Sequence, residues 1–389
     1  MLAMPWPVPG CCVRADPLPE AVDVAVVGGS LAGLTAARLL AEGGARVALV
    51  AEGPLGGFSL AAPGIIQQDL GEHPHRLLSA VGLDEARAMH RFLVENRELL
   101  RAEGCFSQTG SLTVAAMDHE GDELVDGFSA CEQVGLSAEL CAADDVCARL
   151  SAVGFGPGRL QPGDGVVEAG ALVEAAVEGA RAAGAALCAG LSVFGVEETG
   201  GGNRLLLDAG ALQADVVVLA GGHRLSECWP WFADKLYPVR HQWVATAAVA
   251  EGRLPLPVSA QHGFSTWRQL DGRVVAGGAR FASPHLQIGE TDAVLDERVD
   301  HVLRANLGRF FPDLVDVPIE FGWAAIATHT CDGLPILGPL PGRVDLVACT
   351  GFHGLDQALA LRAGQVVAEG LLTGKAPAIP QTFAARRMV

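Results

Sequence analysis

Residues 24–27, Val-Ala-Val-Val, form an apolar run of the kind a parallel strand shows when both its faces are covered. A glycine-rich turn, 28–33, follows it. A helical pattern then runs from about Ala32 to Ala41 until Gly43-Gly44 stops it, and a second apolar strand covers 46–50. A long helix with Met89, Leu93 and Leu100 on one face is predicted over 83–103, ended by Gly104. Residues 106–116 read as strand around a glycine turn, and 120–149 as acidic and helical. An alanine-rich helix at 171–183 leads to a strand at 186–196 and, after a turn, to another at 204–207. Residues 215–219 form a buried strand that runs into Ala220-Gly221-Gly222. From 238 the pattern becomes strand-rich, with Asp271-Gly272 marking an antiparallel hairpin, followed by a helix over 293–311. At the far end the opening pattern repeats: strand 346–348, glycine turn Gly351-Phe352-His353-Gly354, helix 355–372.

The unit over 23–52 has the physics of a dinucleotide site. Gly28 permits a sharp turn out of the strand, and Gly33 permits close helix packing. The helix N-terminus at Leu31 and Ala32 offers free N–H groups and partial positive charge to phosphates. Ser30 stands where a second glycine is usual; it is small, and its hydroxyl is itself a phosphate partner. An acid is expected about 20 residues on to receive a ribose. That position is Ala51, with Glu52 one residue later. Ala220, Gly221 and Gly222 should face the same ligand, because open parallel sheets bind at their carboxyl ends.

Composition narrows the class. Half of the 389 residues are hydrophobic, so a large core forms. Lys+Arg number 27 against 45 Asp+Glu, a net charge of −18, which argues against nucleic acid and anionic membrane as partners. No apolar run reaches the length of a membrane helix. Residues 1–20, rich in proline, read as a loose leader rather than a secretory signal. Ten scattered cysteines, among them the adjacent Cys11-Cys12, form no C-x-x-C pair. A cytoplasmic setting with small buried thiols is expected. His73 and His75 stand close together, but no third ligand is evident, and no metal is expected.

From about residue 22 to the C-terminus, the order of motifs resembles the FAD-dependent oxidoreductases of the D-amino-acid oxidase, glycine oxidase and sarcosine oxidase type. GGSLAG comes first, then GGFSLAAPGII, PGDGVVEAGALV, DVVVLAGG, PVRHQW, DGRVVAGG, CDGLPILGPLPG and TGFHG. The segment Trp323 to Pro335 is similar to the bacterial amine and γ-glutamylputrescine oxidoreductases. The resemblance implies an α/β fold: a discontinuous Rossmann-type FAD domain (21–80, 160–235 and 323–389) and an antiparallel sheet-and-helix substrate domain (81–159 and 236–322). It implies further FAD contacts from Gly57, Phe58, Ser59, Ala62, Val193, Gly338, Gly351, Phe352, His353, Gly354 and Leu355.

The implied reaction takes a hydride from a carbon next to an amine nitrogen; the imine then hydrolyses. Departures from the family pattern define this member. Ala327 stands where an arginine pairs the substrate carboxylate, which leaves an amine, or an acid held by Arg268 or Arg240. About Val275 replaces an oxygen-activating lysine, and Lys235 and Lys375 are the only lysines. An acceptor other than oxygen, with this chain as flavin subunit of a larger dehydrogenase or as a homo-oligomer, is therefore an alternative, as is a non-catalytic flavoprotein of the same fold. Ala325 and about Ala61 match the tethering cysteine and histidine of relatives, so FAD should be non-covalent. His353 and His329 are acid–base candidates, each equally suited to a structural role, and Trp323 and Trp267 candidate walls. Asp356 is expected to point away as a helix cap, with contact to a cationic substrate as the alternative.

Overall fold

The structure, a computed structural model, describes residues 4–6, 15–376 and 378–389. Cys11 and Cys12 lie outside the described residues.

The strand at Ala21–Val27 pairs in parallel with Val47–Ala51 on one side and Gly210–Leu219 on the other. Ala186–Ala189 extends the sheet beyond Val47–Ala51. Arg343–Thr350 pairs in parallel with residues 217–219, and an antiparallel hairpin, 193–199 with 202–207, closes the edge. The expected single strand over 186–196 is thus two, split at Gly190, which turns the chain at φ 81°. Helices Leu31–Glu42 and Asp356–Thr373 cover one face of this sheet, and a core around Trp229, Phe232 and Leu205 covers the other. Both faces are apolar because both are covered.

A second, mostly antiparallel sheet is built from 319–330, 236–246, 273–278, 265–270, 258–260, 111–114, 158–161 and 139–141, in that spatial order; within it 258–260 and 111–114 run parallel. The expected hairpin turns at Asp271 (φ 48°) and Gly272 (φ 70°). Helix Glu297–Phe310 packs beneath it around Trp267, Phe155 and Phe310.

Three expected boundaries differ from the structure. Helix Leu83–Ala102, assigned to the substrate domain, buries Met89, Phe92, Leu93 and Leu100 in the core of the first sheet. Asn96 there donates to the Gln357 carbonyl (3.0 Å) and accepts from Arg362 N (3.0 Å), which ties it to Asp356–Thr373. The proposed break at 323 falls inside strand Ile319–Thr330, which belongs wholly to the antiparallel sheet. The described part of the leader is anchored: Trp6 is buried against Trp323 (5.1 Å between rings) and donates to the Leu60 carbonyl at 3.0 Å, and Asp16 bonds Leu187 through backbone and side chain.

Candidate active site

Gly28 leaves its strand at φ 116°, and a Cβ there would sit 2.4 Å from the Ala220 carbonyl carbon, so only glycine fits. A Cβ on Gly33 would meet the Gly28 oxygen at 2.4 Å, which brings the helix onto the strand. Ser30 caps that helix, its Oγ accepting from Gly33 N at 3.2 Å. No acid stands in the first turn, so its N–H groups and positive end remain for an anion.

This turn opens on a cavity of about 460 Å³. Gly28, Ser30, Glu52, Gly57, Phe58, Val193, Ala220, Gly221, Gly222, Gly351 and Phe352 line it. Glu52 is at the mouth, with Oε2 2.6 Å from Arg224 Nη1. Leu31 and Ala32 are fully buried and supply only backbone. Trp229 Nε1 in the cavity wall is buried without a partner; Ser59 is also buried with Oγ lacking a partner, but it lines neither cavity. The orphaned Trp229 donor and the glycine cradle suit a dinucleotide. Gly338 is a correction: it sits within strand Ile336–Leu340, paired with Ala348, and lines neither cavity.

A second cavity, of about 740 Å³, shares Phe58 and Phe352 with the first. Ala62, Arg76, His241, Trp243, His262, Arg280, His353, Gly354 and Leu355 line it. The junction of the two lies where the second glycine turn meets the antiparallel sheet.

Asp356 is not a helix cap and does not point away. It is the first residue of its helix, after Leu355, and lines the first cavity. Burial pushes its carboxyl up to about 7, against the pull of its own backbone N–H.

His241, His329 and His353 form a row. Thr330 N donates to His353 Nε2 at 2.9 Å, so the neutral ring carries its proton on Nδ1. That proton faces His329 Nδ1 at 3.1 Å, and His329 then directs its Nε2–H at His241 Nε2, 3.3 Å away. Burial holds all three neutral at pH 7, lowering His353 to about 4 and His241 to about 3 and depressing His329 as well. Each lone pair in the row is therefore committed, and one donor, His241 Nδ1–H, is left over. Of the two roles open to His353 and His329, this arrangement favours the structural one.

Arg268 is also displaced from the substrate. Buried at 3% exposure, it donates to the carbonyls of Pro63, Gly64 and Val167 and pairs with Glu168 at 3.2 Å. Arg240 is spent on Gln287 (2.6 Å) and Asp292 (2.7 Å). Trp323 bonds the Ala61 carbonyl at 2.9 Å and stacks behind Trp243, which is the aromatic wall instead; Trp267 is core. The cation that sequence reasoning missed is Arg280. Its Nη1 donates to the Leu286 carbonyl at 3.0 Å, its guanidinium lies over Phe264, and no carboxylate among the described residues pairs with it. It follows Ala279, a non-glycine residue at φ 52°, at the end of the hairpin strand. Only the fold brings it beside the row.

The profile of the family described as FAD dependent oxidoreductase matches residues 23–370. The chain belongs to this family. It is 26% identical over 357 residues to a glycine oxidase of Geobacillus kaustophilus, covering 89% of this chain and 92% of that one. It is 26% identical over 348 residues to 4-methylaminobutanoate oxidase (formaldehyde-forming) of Paenarthrobacter nicotinovorans, covering 87% of this chain and 38% of that one. The solved structure of the Geobacillus glycine oxidase superposes with a TM-score of 0.80 at 23% identity, over 95% of this chain and all of that one. L-proline dehydrogenase from P. horikoshii superposes at 0.81 and 20% identity, over 95% and 98%. As a member of this FAD-dependent family, the protein is an oxidoreductase acting on the C–N bonds of amines or amino acids. No helix among the described residues is long and apolar enough to cross a membrane.

Proposed function

We propose that the protein oxidises the C–N bond of an amino acid, or an N-substituted one, whose carboxylate is held by Arg280. The observation that carries this reading is a guanidinium on the substrate cavity with no carboxylate partner among the described residues. A planar fork of N–H groups matches a carboxylate in shape and charge. FAD, when bound, supplies the hydride acceptor. Gly28, Ser30 and the helix N-terminus would receive its pyrophosphate, and Glu52 a ribose. Phe58, Gly351 and Phe352 would flank its ring system at the junction of the cavities. Ala325 and Ala61 offer no nucleophile, which favours non-covalent binding.

The neutral histidine row neither repels a substrate nitrogen nor draws the carboxylate from Arg280. With its lone pairs occupied it takes no proton, so the substrate amine reaches its neutral form by exchange with solvent. His241 Nδ1–H remains to orient a substrate or cofactor oxygen. Trp243 and Phe58 exclude water from one side.

An acceptor other than oxygen is the second part of this reading. Val275 is fully buried in the sheet opposite Arg268 and Ala245, and neither lysine lines either cavity. Lys235 lies over Trp231, paired with Asp234. The free thiols among the described cysteines favour a reducing, cytoplasmic setting.

The test compares wild type with Arg280→Met on matched substrates, an amino acid and its decarboxylated amine. The reading expects the amino acid alone to lose from the substitution. Equal effects on both substrates would overturn it.

A further inference from the structure

Three chain segments meet beside the substrate cavity, and two of them, at 71–81 and 262–264, line it. His73 is the residue before helix Pro74–Val81, and Glu123 lies in helix Asp118–Val134. His262 lies in the turn between strands 258–260 and 265–270, at φ 54°, next to Gln261 at the same φ. Their facing atoms all lie within 4.8 Å of one another. Glu123 Oε2 is 3.6 Å from His73 Nε2 and 3.4 Å from His262 Nε2.

These separations are long for hydrogen bonds. They approach the edge of a coordination tetrahedron: donors about 2.0–2.1 Å from a zinc ion stand about 3.3–3.4 Å apart. Glu123 Oε1 is held by Arg76, which turns Oε2 inward, and that oxygen is buried with no hydrogen-bond partner. His73 is itself over nine-tenths buried and its Nδ1 is also unpartnered. A buried carboxylate oxygen without a donor is costly unless a cation meets it. Two arginines lie near, and each also pairs with a carboxylate outside the cluster, Arg159 with Asp69 at 2.6 Å and Arg76 with Glu72 at 3.7 Å. The His119 ring stacks on His262 and the His75 ring lies beside His73, so further nitrogen donors are at hand.

We propose that His73, Glu123 and His262 bind a divalent transition-metal ion of the zinc type, which clamps the two segments that line this side of the substrate cavity, at 71–81 and 262–264, to helix Asp118–Val134. Two imidazoles and one carboxylate are a donor set suited to such an ion. Two of the residues beside it, Arg76 and Glu72, line the cavity along with His262. The site is independent of the reaction at Arg280, and no electron passes through it.

The experiment strips the FAD-loaded protein with chelator and titrates it with Zn²⁺, reading bound zinc by elemental analysis and the melting temperature by calorimetry. Stoichiometric zinc and a raised melting temperature are expected. His262→Gly removes a ligand at a backbone conformation that glycine adopts freely, so the fold should survive. It should weaken zinc binding at least about tenfold, as even outer-shell changes do, and should abolish the rise in melting temperature while FAD content stays constant. Glu123→Gln should do the same. Failure of the wild type to retain zinc, or retention of wild-type affinity by both variants, would overturn the proposal.

Discussion

At the level of single residues, the proposed carboxylate anchor Arg280 and the cavity-lining Asp356 carry the sharpest expectations. Charge-assisted hydrogen bonds contribute roughly 1.5–3 kcal/mol each, about 10- to 150-fold in binding. Arg280→Met should therefore raise KM for an amino-acid substrate by about one to two orders of magnitude, with a smaller change in kcat. Steady-state kinetics checks this, and an unchanged KM would contradict it. Asp356 ionises near pH 7 beside the cofactor cavity. Above that pH its carboxylate disfavours a negatively charged reduced cofactor; below it the acid is neutral. The midpoint potential of the bound flavin should thus fall more steeply with rising pH around 7 in the wild type than in Asp356→Asn. Spectroelectrochemistry at pH 6 and pH 8 would show parallel slopes if Asp356 played no such part. The sequence made Gly28, Ser30 and Glu52 legible because their spacing along one strand–turn–helix unit carries the meaning. It hid Arg280, which reaches the substrate cavity only when the fold brings the hairpin strand beside His241, His329 and His353, 39 to 73 positions away.

Single elements are held by side chains that the sequence suggested for other work. Arg268, expected at the substrate, bonds the strap at Pro63 and Gly64 to the strand end at Val167. Removing one partner from such a buried charged network costs about 3–5 kcal/mol. Arg268→Ala should lower the unfolding free energy by that amount, read as a lower denaturant midpoint at unchanged slope, with little change in kcat per folded molecule. A neutral substitution would mean that the strap is held by other contacts. Elements with strong periodicity, such as helix 83–102 and the hairpin at Asp271-Gly272, were legible as elements. Where the helix packs was not, because an amphipathic face states that it needs a partner without saying which. The same limit applies to His73: its neighbours His262 and Glu123 come from elsewhere in the chain, so no local spacing reveals them.

Across the whole molecule, burial sets the response to pH. Six histidines, at 73, 90, 223, 241, 329 and 353, have lowered pKa values, while Asp164 and Asp356 are raised to about 7. A histidine held neutral in the fold is protonated first in the unfolded chain, so its stabilisation is complete above about pH 6.5 and is lost as pH falls below that. The two acids act in the opposite sense, favouring the fold as pH falls from 7. With six groups against two, unfolding should take up protons between about pH 6.5 and pH 4.5, and the urea midpoint should drop across that window. A flat or rising midpoint on acidification would contradict the neutral row.

The central claim is oxidation of an amino acid's C–N bond at the junction of the two cavities. Its most direct test is anaerobic titration of the purified FAD-loaded protein with a panel of amino acids, N-methyl amino acids and the corresponding amines, following the oxidised-flavin band. The account predicts that a carboxylate-bearing compound bleaches the band, that its decarboxylated analogue does so far less well, and that air restores the colour slowly while an artificial acceptor restores it quickly. Bleaching by NAD(P)H with no response to any amino acid or amine would contradict it.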